Sequence, residues 1–337
     1  MAGACWVVVL FCLRPGHVHG APQDQVSEKV ASCIGSVTQQ KTPAVVRIRS
    51  VDRHGELNGT GFYIDPSGLV CTVAELVEGC GDVSVVVDGK PVPAKTVAVD
   101  TRSGVAFLKV EGTNNSSCFL TPGTRTNATL LTPVIGIGIP KDQKATGVLG
   151  MVSGNATHEG ERFFCVPQIE ASIPMSEGEA GAPILDLSGS LLGMVITGNT
   201  QSGICRFLPA GAIAKLHKDF IRYGRFQQAW VGTVVEEAAV PQGNSRTRIV
   251  SVEPESPAEK AGLRPGDIIL DIGSNSICNP EDVLGASFYL TAGESVNLTL
   301  LRSGNLKKVS IRCGEYPDPA TQVAGADQPP IVGQVNP

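Results

Sequence analysis

Cleaving or modifying a peptide needs a nucleophile and a base, so the serines, cysteines, histidines and carboxylates of this 337-residue chain come first. Beyond residue 20 only three histidines occur: His54, His158 and His217. His54 falls in a predicted turn, His158 in a polar loop beside Asn155, and His217 on a predicted helix. Each reads as a surface side chain. Ser176 stands four residues before Ala180 with no apparent base for it. Ten cysteines are present, and two lie at the extreme N-terminus. The other eight are Cys33, Cys71, Cys80, Cys118, Cys165, Cys205, Cys278 and Cys313. An even count suggests disulfides if the chain is exported. No C-x-x-C pair occurs, so zinc is not expected, and no other metal or cofactor is implied. Sequons start at Asn58, Asn114, Asn115, Asn127, Asn155 and Asn297, which hints at a glycosylating secretory pathway.

The elements that must position such residues are mostly strands. Gly and Pro are abundant, aromatics make up 5%, and charged residues 18%. Many turns and few long helices fit a mainly β chain. Net charge is −5 with no basic stripe, so nucleic acid is not an expected partner. Residues 4–13 form one short apolar run ending at Arg14-Pro15-Gly16. That length suits a signal-peptide core, here residues 1–20, and predicts a secreted or periplasmic protein; a buried strand is the alternative. No later run is long enough to span a membrane. Within an N-terminal segment, 21–42, the spacing of Val26, Val30, Ile34 and Val37 predicts an amphipathic helix. Short strands separated by Gly, Asn, Asp and Ser clusters follow from residue 43 onward, the rhythm of a barrel or sandwich. A helix is predicted over Ala212–Tyr223, stopped by Gly224. A second domain carries a capping box at Ser256-Pro-Ala-Glu259, a helix over roughly 280–290 and a closing hairpin. Residues 316–337 read as a disordered tail.

Four segments, in order, resemble the HtrA serine proteases. Asn58-Gly-Thr-Gly-Phe-Tyr-Ile is similar to that family's S-G-S-G-F strand. Thr72-Val-Ala-Glu-Leu-Val77 is similar to T-N-A-H-V-V, Gly104-Val-Ala-Phe-Leu-Lys-Val110 to D-L-A-V-L-K-I, and Gly178-Glu-Ala-Gly-Ala-Pro183 to G-N-S-G-G-P. The resemblance implies a trypsin-like double six-stranded β-barrel over residues 43–225. It also marks the triad positions. The base position holds Glu75, the orienting Asp position Gly104, and the nucleophile position Ala180. Ala has no hydroxyl to attack a carbonyl, and Gly has nothing with which to orient an imidazole. Loss of the nucleophile alone costs about 10⁶ in such enzymes. The expectation is therefore a protein that is not an enzyme, with a vestigial oxyanion turn at Gly178 and Gly181. Glu75 meeting Glu179 in that cleft, each raising the other's pKa, would be the basis of a rival carboxylate chemistry.

Residues 226–315 resemble a PDZ domain of the HtrA type, most clearly over Arg248–Leu270. Such domains bind C-terminal or extended peptides by strand addition. By resemblance the carboxylate-binding loop is Trp230, Val231, Gly232 and Thr233. Val234 and Val235 continue the receiving strand, and Val283, Leu284 and Phe288 are candidates for the opposite wall. Core packing is the competing role for Val283 and Leu284.

Spacing does not fix the disulfides, since eight cysteines allow many connectivities. If the resemblance holds, Cys165 and Cys205 fall on neighbouring strands and Cys278 and Cys313 within the PDZ unit. Cys71 and Cys80 bracket the Glu75 segment, leaving Cys33 with Cys118. HtrA proteases commonly form trimers through N-terminal aromatics, and residues 21–61 contain none, so no homo-oligomer is asserted. The leading functional expectation is a secreted pseudoprotease that binds peptides, unfolded chains or an active protease relative. The alternative is an atypical endopeptidase using non-standard residues.

Overall fold

A computed structural model describes residues 22–110, 118–159, 162–238 and 246–316. The expected leader, the sequons at Asn114 and Asn115, and the tail from residue 317 lie outside the described residues. Helix α1 (Pro22–Lys41) leads into the first barrel. Its apolar stripe is only partly used: Val37 is buried, Ile34 half-buried and Val30 41% exposed.

The first barrel comprises β1 (Val45–Asp52), β2 (Gly55–Tyr63), β3 (Leu69–Val73), β4 (Asp82–Val87), β5 (Lys90–Asp100) and β6 (Val105–Val110). They close in the order β1-β2-β3-β6-β5-β4. The second comprises β7 (Pro133–Gly138), β8 (Thr146–Glu159), β9 (Arg162–Ala171), β10 (Pro183–Leu185), β11 (Leu191–Asn199) and β12 (Ile204–Pro209). They close as β10-β11-β12-β9-β8-β7. Closure removes the free edges that short, twisted strands would otherwise present. Ile48, Phe62, Phe107 and Leu108 fill the first barrel, and one core runs on to Ile135, Leu185 and Met194 of the second. The cleft lies where the two barrels meet.

Helix α2 (Ala210–Tyr223) buries Ala212, Ile213 and Leu216 and stops at Gly224, whose N–H bonds Phe220 O in the left-handed conformation. Phe107 anchors it edge-on to Phe220 and Phe226. His217 is no surface histidine. It is half-buried, its Nε2 lies 3.0 Å from Asp65 Oδ2, and its ring stands edge-on to Phe107. The register of α2 turns that face inward, which a lone histidine in sequence does not reveal.

The last unit is built from β13 (Ala229–Trp230), β14 (Thr233–Ala238), β15 (Arg246–Val252), α3 (Pro257–Lys260), β16 (Ile268–Ile272), β17 (Asn275–Ser276), α4 (Pro280–Phe288), β18 (Ser295–Arg302), β19 (Asn305–Arg312) and β20 (Gly314–Glu315). Its main path runs β14-β15-β16-β18-β19, so β14 and β19 are edges. Ser256 caps α3, and Asn279 with Asp282 forms a complete capping box on α4. Both carboxylate oxygens of Asp267 are held by Arg302 at 2.6 Å. Polar contacts tie this unit to α2: Tyr223 Oη donates to Ala292 O, and Lys218 and Arg222 reach Glu294.

None of the expected disulfides is formed among the described residues. No disulfide joins Cys33, Cys71, Cys80, Cys118, Cys205, Cys278 or Cys313, and the side chain of Cys165 lies outside the described residues. Strand alternation gives the reason. Cys71 points into the core, 3.6 Å from Met194 Sδ, while Cys80 sits on the loop after it. Cys313 is buried and Cys278 exposed. Cys33 bonds Leu187 O, whereas Cys118 bonds Gln40 O, about 10 Å further along α1. Burial pushes the thiols of Cys71 and Cys313 upward, and that of Cys205 up to about 12. These are inert core groups.

Candidate functional site

The cleft is built around a turn, residues 175–181, that only small residues permit. Gly178 and Gly181 have φ of +95° and +88°. A Cβ on Gly181 would stand 2.0 Å from Thr60 O. Thr60, wholly buried, clamps the turn from β2. Its N–H bonds Ala180 O at 2.8 Å, its Oγ1 donates to Gly178 O at 2.8 Å, and it accepts the N–H of Ile139. From the other side Lys141 bonds Glu177 through backbone and side chain, both at 2.8 Å. Arg47 in turn donates to Pro140 O and Gln143 O on Lys141's segment. Among the described residues no acceptor meets the N–H groups of Gly178 and Ala180. They remain available to a carbonyl oxygen, the arrangement of an oxyanion hole.

The sequence-derived positions come together here. Glu75, Ser176, Glu177, Gly178 and Ala180 line one cleft of about 250 Å³, with Met175 and Val195 as its apolar part. Beside it a recess of about 50 Å³ is lined by Glu75, Glu78, Thr101, Gly104 and Ile196. The N–H of Ala74 bonds Gly104 O at 2.8 Å, which fixes the base position against the orienting position. Ile196 Cδ1 lies 3.6 Å from where a Cβ on Gly104 would sit, so an aliphatic chain borders the place of the orienting carboxylate. Among the described residues no histidine lines either cavity.

Glu179 does not join Glu75. It is buried beneath the turn, where its Oε2 accepts the Ser176 N–H at 2.5 Å. Burial raises its pKa, partly offset by the Ser176 hydrogen bonds. In sequence Thr60 stands only within a motif, and Arg47 and Lys141 carry no signal. Their roles depend on contacts across 36 to 118 residues, for which no local signal exists.

The second site is the edge of β14. Gly232 has φ +83°, and a Cβ there would lie 2.3 Å from Ser256 Cβ. Val231 O accepts from Ala258 N and Gly232 O from Glu253 N, so both carbonyls of the loop turn inward. Thr233 stands opposite Val252. The Glu253-to-Gly232 bond makes this a non-hydrogen-bonded pair, which turns the Thr233 N–H and C=O outward. Val234 is 46% exposed on the same edge. Trp230 packs between Gly232 and Gly314 as part of the β13–β20 pair. Val283 is buried in the unit's core and Leu284 half-buried. Phe288 is not a groove wall: it packs toward the barrels, under Lys215 at 5.4 Å and Arg102 at 5.9 Å.

Comparison with known proteins agrees with this geometry. The trypsin-like peptidase domain family matches residues 59–194, and the PDZ domain family matches residues 248–302. A probable periplasmic serine endoprotease, DegP-like, from Halomonas elongata is 26% identical over 284 residues, covering 80% of this chain and 58% of the relative. A protein of the same description from a Marinomonas species is 28% identical over 300 residues, covering 82% and 62%. The chain thus spans about three fifths of the length of these curated relatives. The solved HtrA-type protease AlgWS227A with decapeptide superposes with a TM-score of 0.66 at 20% identity, covering 85% of this chain and 98% of that one. The serine endoprotease from Yersinia pestis gives 0.58 at 22% identity, covering 84% and 98%. No helix among the described residues is long and apolar enough to cross a membrane.

Proposed function

We propose that this chain, a trypsin-like peptidase domain joined to one PDZ domain and homologous to the HtrA/DegP proteases, is a non-catalytic peptide binder. The observation that carries the reading is that Glu75 and Ala180 line the cleft beside the oxyanion turn, while Glu75 and Gly104 line the recess next to it. Such a cleft accepts a carbonyl but has no alkoxide to deliver and no imidazole to relay the proton. A chain lying in it stays whole. The edge of β14, with its outward-facing loop amides, takes an extended segment ending in a carboxylate. Both sites suit holding peptides, unfolded chains or the termini of a partner, an active protease relative among them. The naming of the relatives as periplasmic fits a periplasmic or secreted setting.

A second reading, an endopeptidase with an unusual nucleophile, draws on Ser176. It lines the cleft, and both its N–H and its side chain lie against Glu179. One experiment separates the two: turnover of casein and a fluorogenic peptide library by purified wild type, Glu75→Ala and Ser176→Ala. The binder reading expects no turnover from any of them. Wild-type turnover lost in Ser176→Ala or Glu75→Ala would establish the second reading instead.

A further inference from the structure

Half of the chain's asparagines begin an N-x-S/T sequon: six of twelve, at Asn58, Asn114, Asn115, Asn127, Asn155 and Asn297. Serine and threonine together fill 45 of the 337 positions. Random order would therefore give twelve asparagines only about one or two sequons. Structural work does not account for the excess, because it falls to asparagines outside the motif. Asn279 caps α4, and Asn305 donates to Ser303 O in the turn between β18 and β19.

The fold sorts the described sequons. Asn127 stands on the loop before β7, Asn155 on β8 and Asn297 on β18, and all three are exposed. Among the described residues none of their side-chain amides meets a hydrogen-bond partner. Asn155 and Asn297 keep their backbone pairing, to Ile169 and Ser310, with the side chain in solvent. Asn58 differs. It is half-buried on β2, and its sequon hydroxyl, Thr60 Oγ1, is buried and committed to Gly178 O.

We propose that Asn127, Asn155 and Asn297 carry N-linked oligosaccharide and that Asn58 does not. The proposal rests on the secreted setting and stands apart from the peptide-binding reading. The donor is a lipid-linked oligosaccharyl diphosphate. The amide nitrogen bonds the anomeric carbon of the sugar as the C–O bond to the diphosphate breaks. The lipid diphosphate leaves, the amide proton passes to solvent, and nothing is oxidised or reduced. A bulky, hydrated group of this kind needs an acceptor amide already in water. None of the three asparagines lines the cleft or its recess, and β18 is three strand steps from β14, about 14 Å. No attachment point falls within either binding site.

The full chain is produced in cultured eukaryotic cells, once behind its own residues 1–20 and once behind a host secretion leader. Chain from medium and cell extract is treated with peptide-N-glycosidase in heavy-oxygen water, which turns each occupied asparagine into a mass-marked aspartate. Peptide mass spectrometry is expected to find the mark at Asn127, Asn155 and Asn297 in both products, with Asn58 bare. Asn127→Gln, Asn155→Gln and Asn297→Gln are each expected to remove one step of gel mobility. An unmarked amide at any of the three behind the host leader, or Asn58 marked as fully as they are, overturns the assignment and leaves the secreted setting standing. Marks behind the host leader but none behind the chain's own residues overturn the secreted setting and the proposal with it.

Discussion

The two sites of this molecule are made from different parts of the chain. By the HtrA resemblance the cleft between the barrels needs three side chains to react, and those positions hold Glu75, Gly104 and Ala180. The groove of the PDZ unit needs outward-facing amides and one open strand edge, and both are in place. On the proposed reading, a catalytic centre built of side chains is lost through three substitutions that leave the two barrels closed. A binding site built of backbone survives as long as its strand and its glycine do. The cleft joins both halves of that reading, because its backbone turn is held by Thr60 and Lys141 while its nucleophile position holds Ala180.

The largest test of this contrast is to rebuild the triad with Glu75→His, Gly104→Asp and Ala180→Ser together. Gly104 has φ +74°, a conformation unfavourable to aspartate, and Ile196 borders its Cβ position. The rebuilt enzyme is expected to fall about 10⁴-fold below an active relative, the usual cost of a misplaced orienting carboxylate. Fluorogenic-peptide kinetics measures it, and full activity would show that side chains alone separate this cleft from a working one.

A smaller effect is expected on the PDZ side. Burial works against ionisation of Asp267, but the Arg302 contacts and the Arg264 N–H outweigh it and hold its pKa below the ordinary 3.8. The stability it supplies is present above that ordinary value and is lost as pH falls through the lowered one. Asp267→Asn is expected to cost about 3 kcal/mol, leaving Arg302 with half a partner. Calorimetry should show an early transition for this unit with the barrels unmoved. A single unchanged transition would mean that the two regions are not independent.

Two glycine variants sharpen the comparison further. Gly232→Ala is expected to lower peptide affinity at least about tenfold, because its Cβ collides with Ser256 and moves the loop amides. Gly181→Ala collides with Thr60 O and is expected to lower the melting temperature of the barrels without touching peptide affinity. Equal loss of peptide affinity in both would place the bound peptide in the cleft instead. The smallest effect belongs to Glu179. Its pKa is raised by burial, so it costs stability as pH rises above the ordinary 4.5. Glu179→Gln is expected to melt slightly higher than wild type at pH 7 and together with it near pH 4.

Much of this was legible in the residues. The order of the four motifs placed Glu75, Gly104 and Ala180, and in the structure Glu75 borders both the cleft that Ala180 lines and the recess that Gly104 lines. Gly232 was placed by resemblance, and its φ of +83° with Ser256 Cβ 2.3 Å from a Cβ position fits a loop without room for a side chain. The disulfides were not legible: whether Cys71 faces a core or a neighbour depends on strand direction, which spacing does not encode. Nor was the role of Phe288, whose periodicity on α4 is the same whether it walls a groove or packs on another domain.

What the residue string determined by itself is chemical inventory: the positions matched to the triad hold Glu75, Gly104 and Ala180 whatever the fold. What only the tertiary structure decided is adjacency. Thr60 and Gly178 lie 118 residues apart along the chain and 2.8 Å apart at their bonding atoms, as does the pairing of Asp65 with His217 across 152 residues at 3.0 Å. Local propensity is set by neighbours in sequence, whereas the cleft, the buried thiols and the free edge of β14 are set by how closed sheets bring distant strands together.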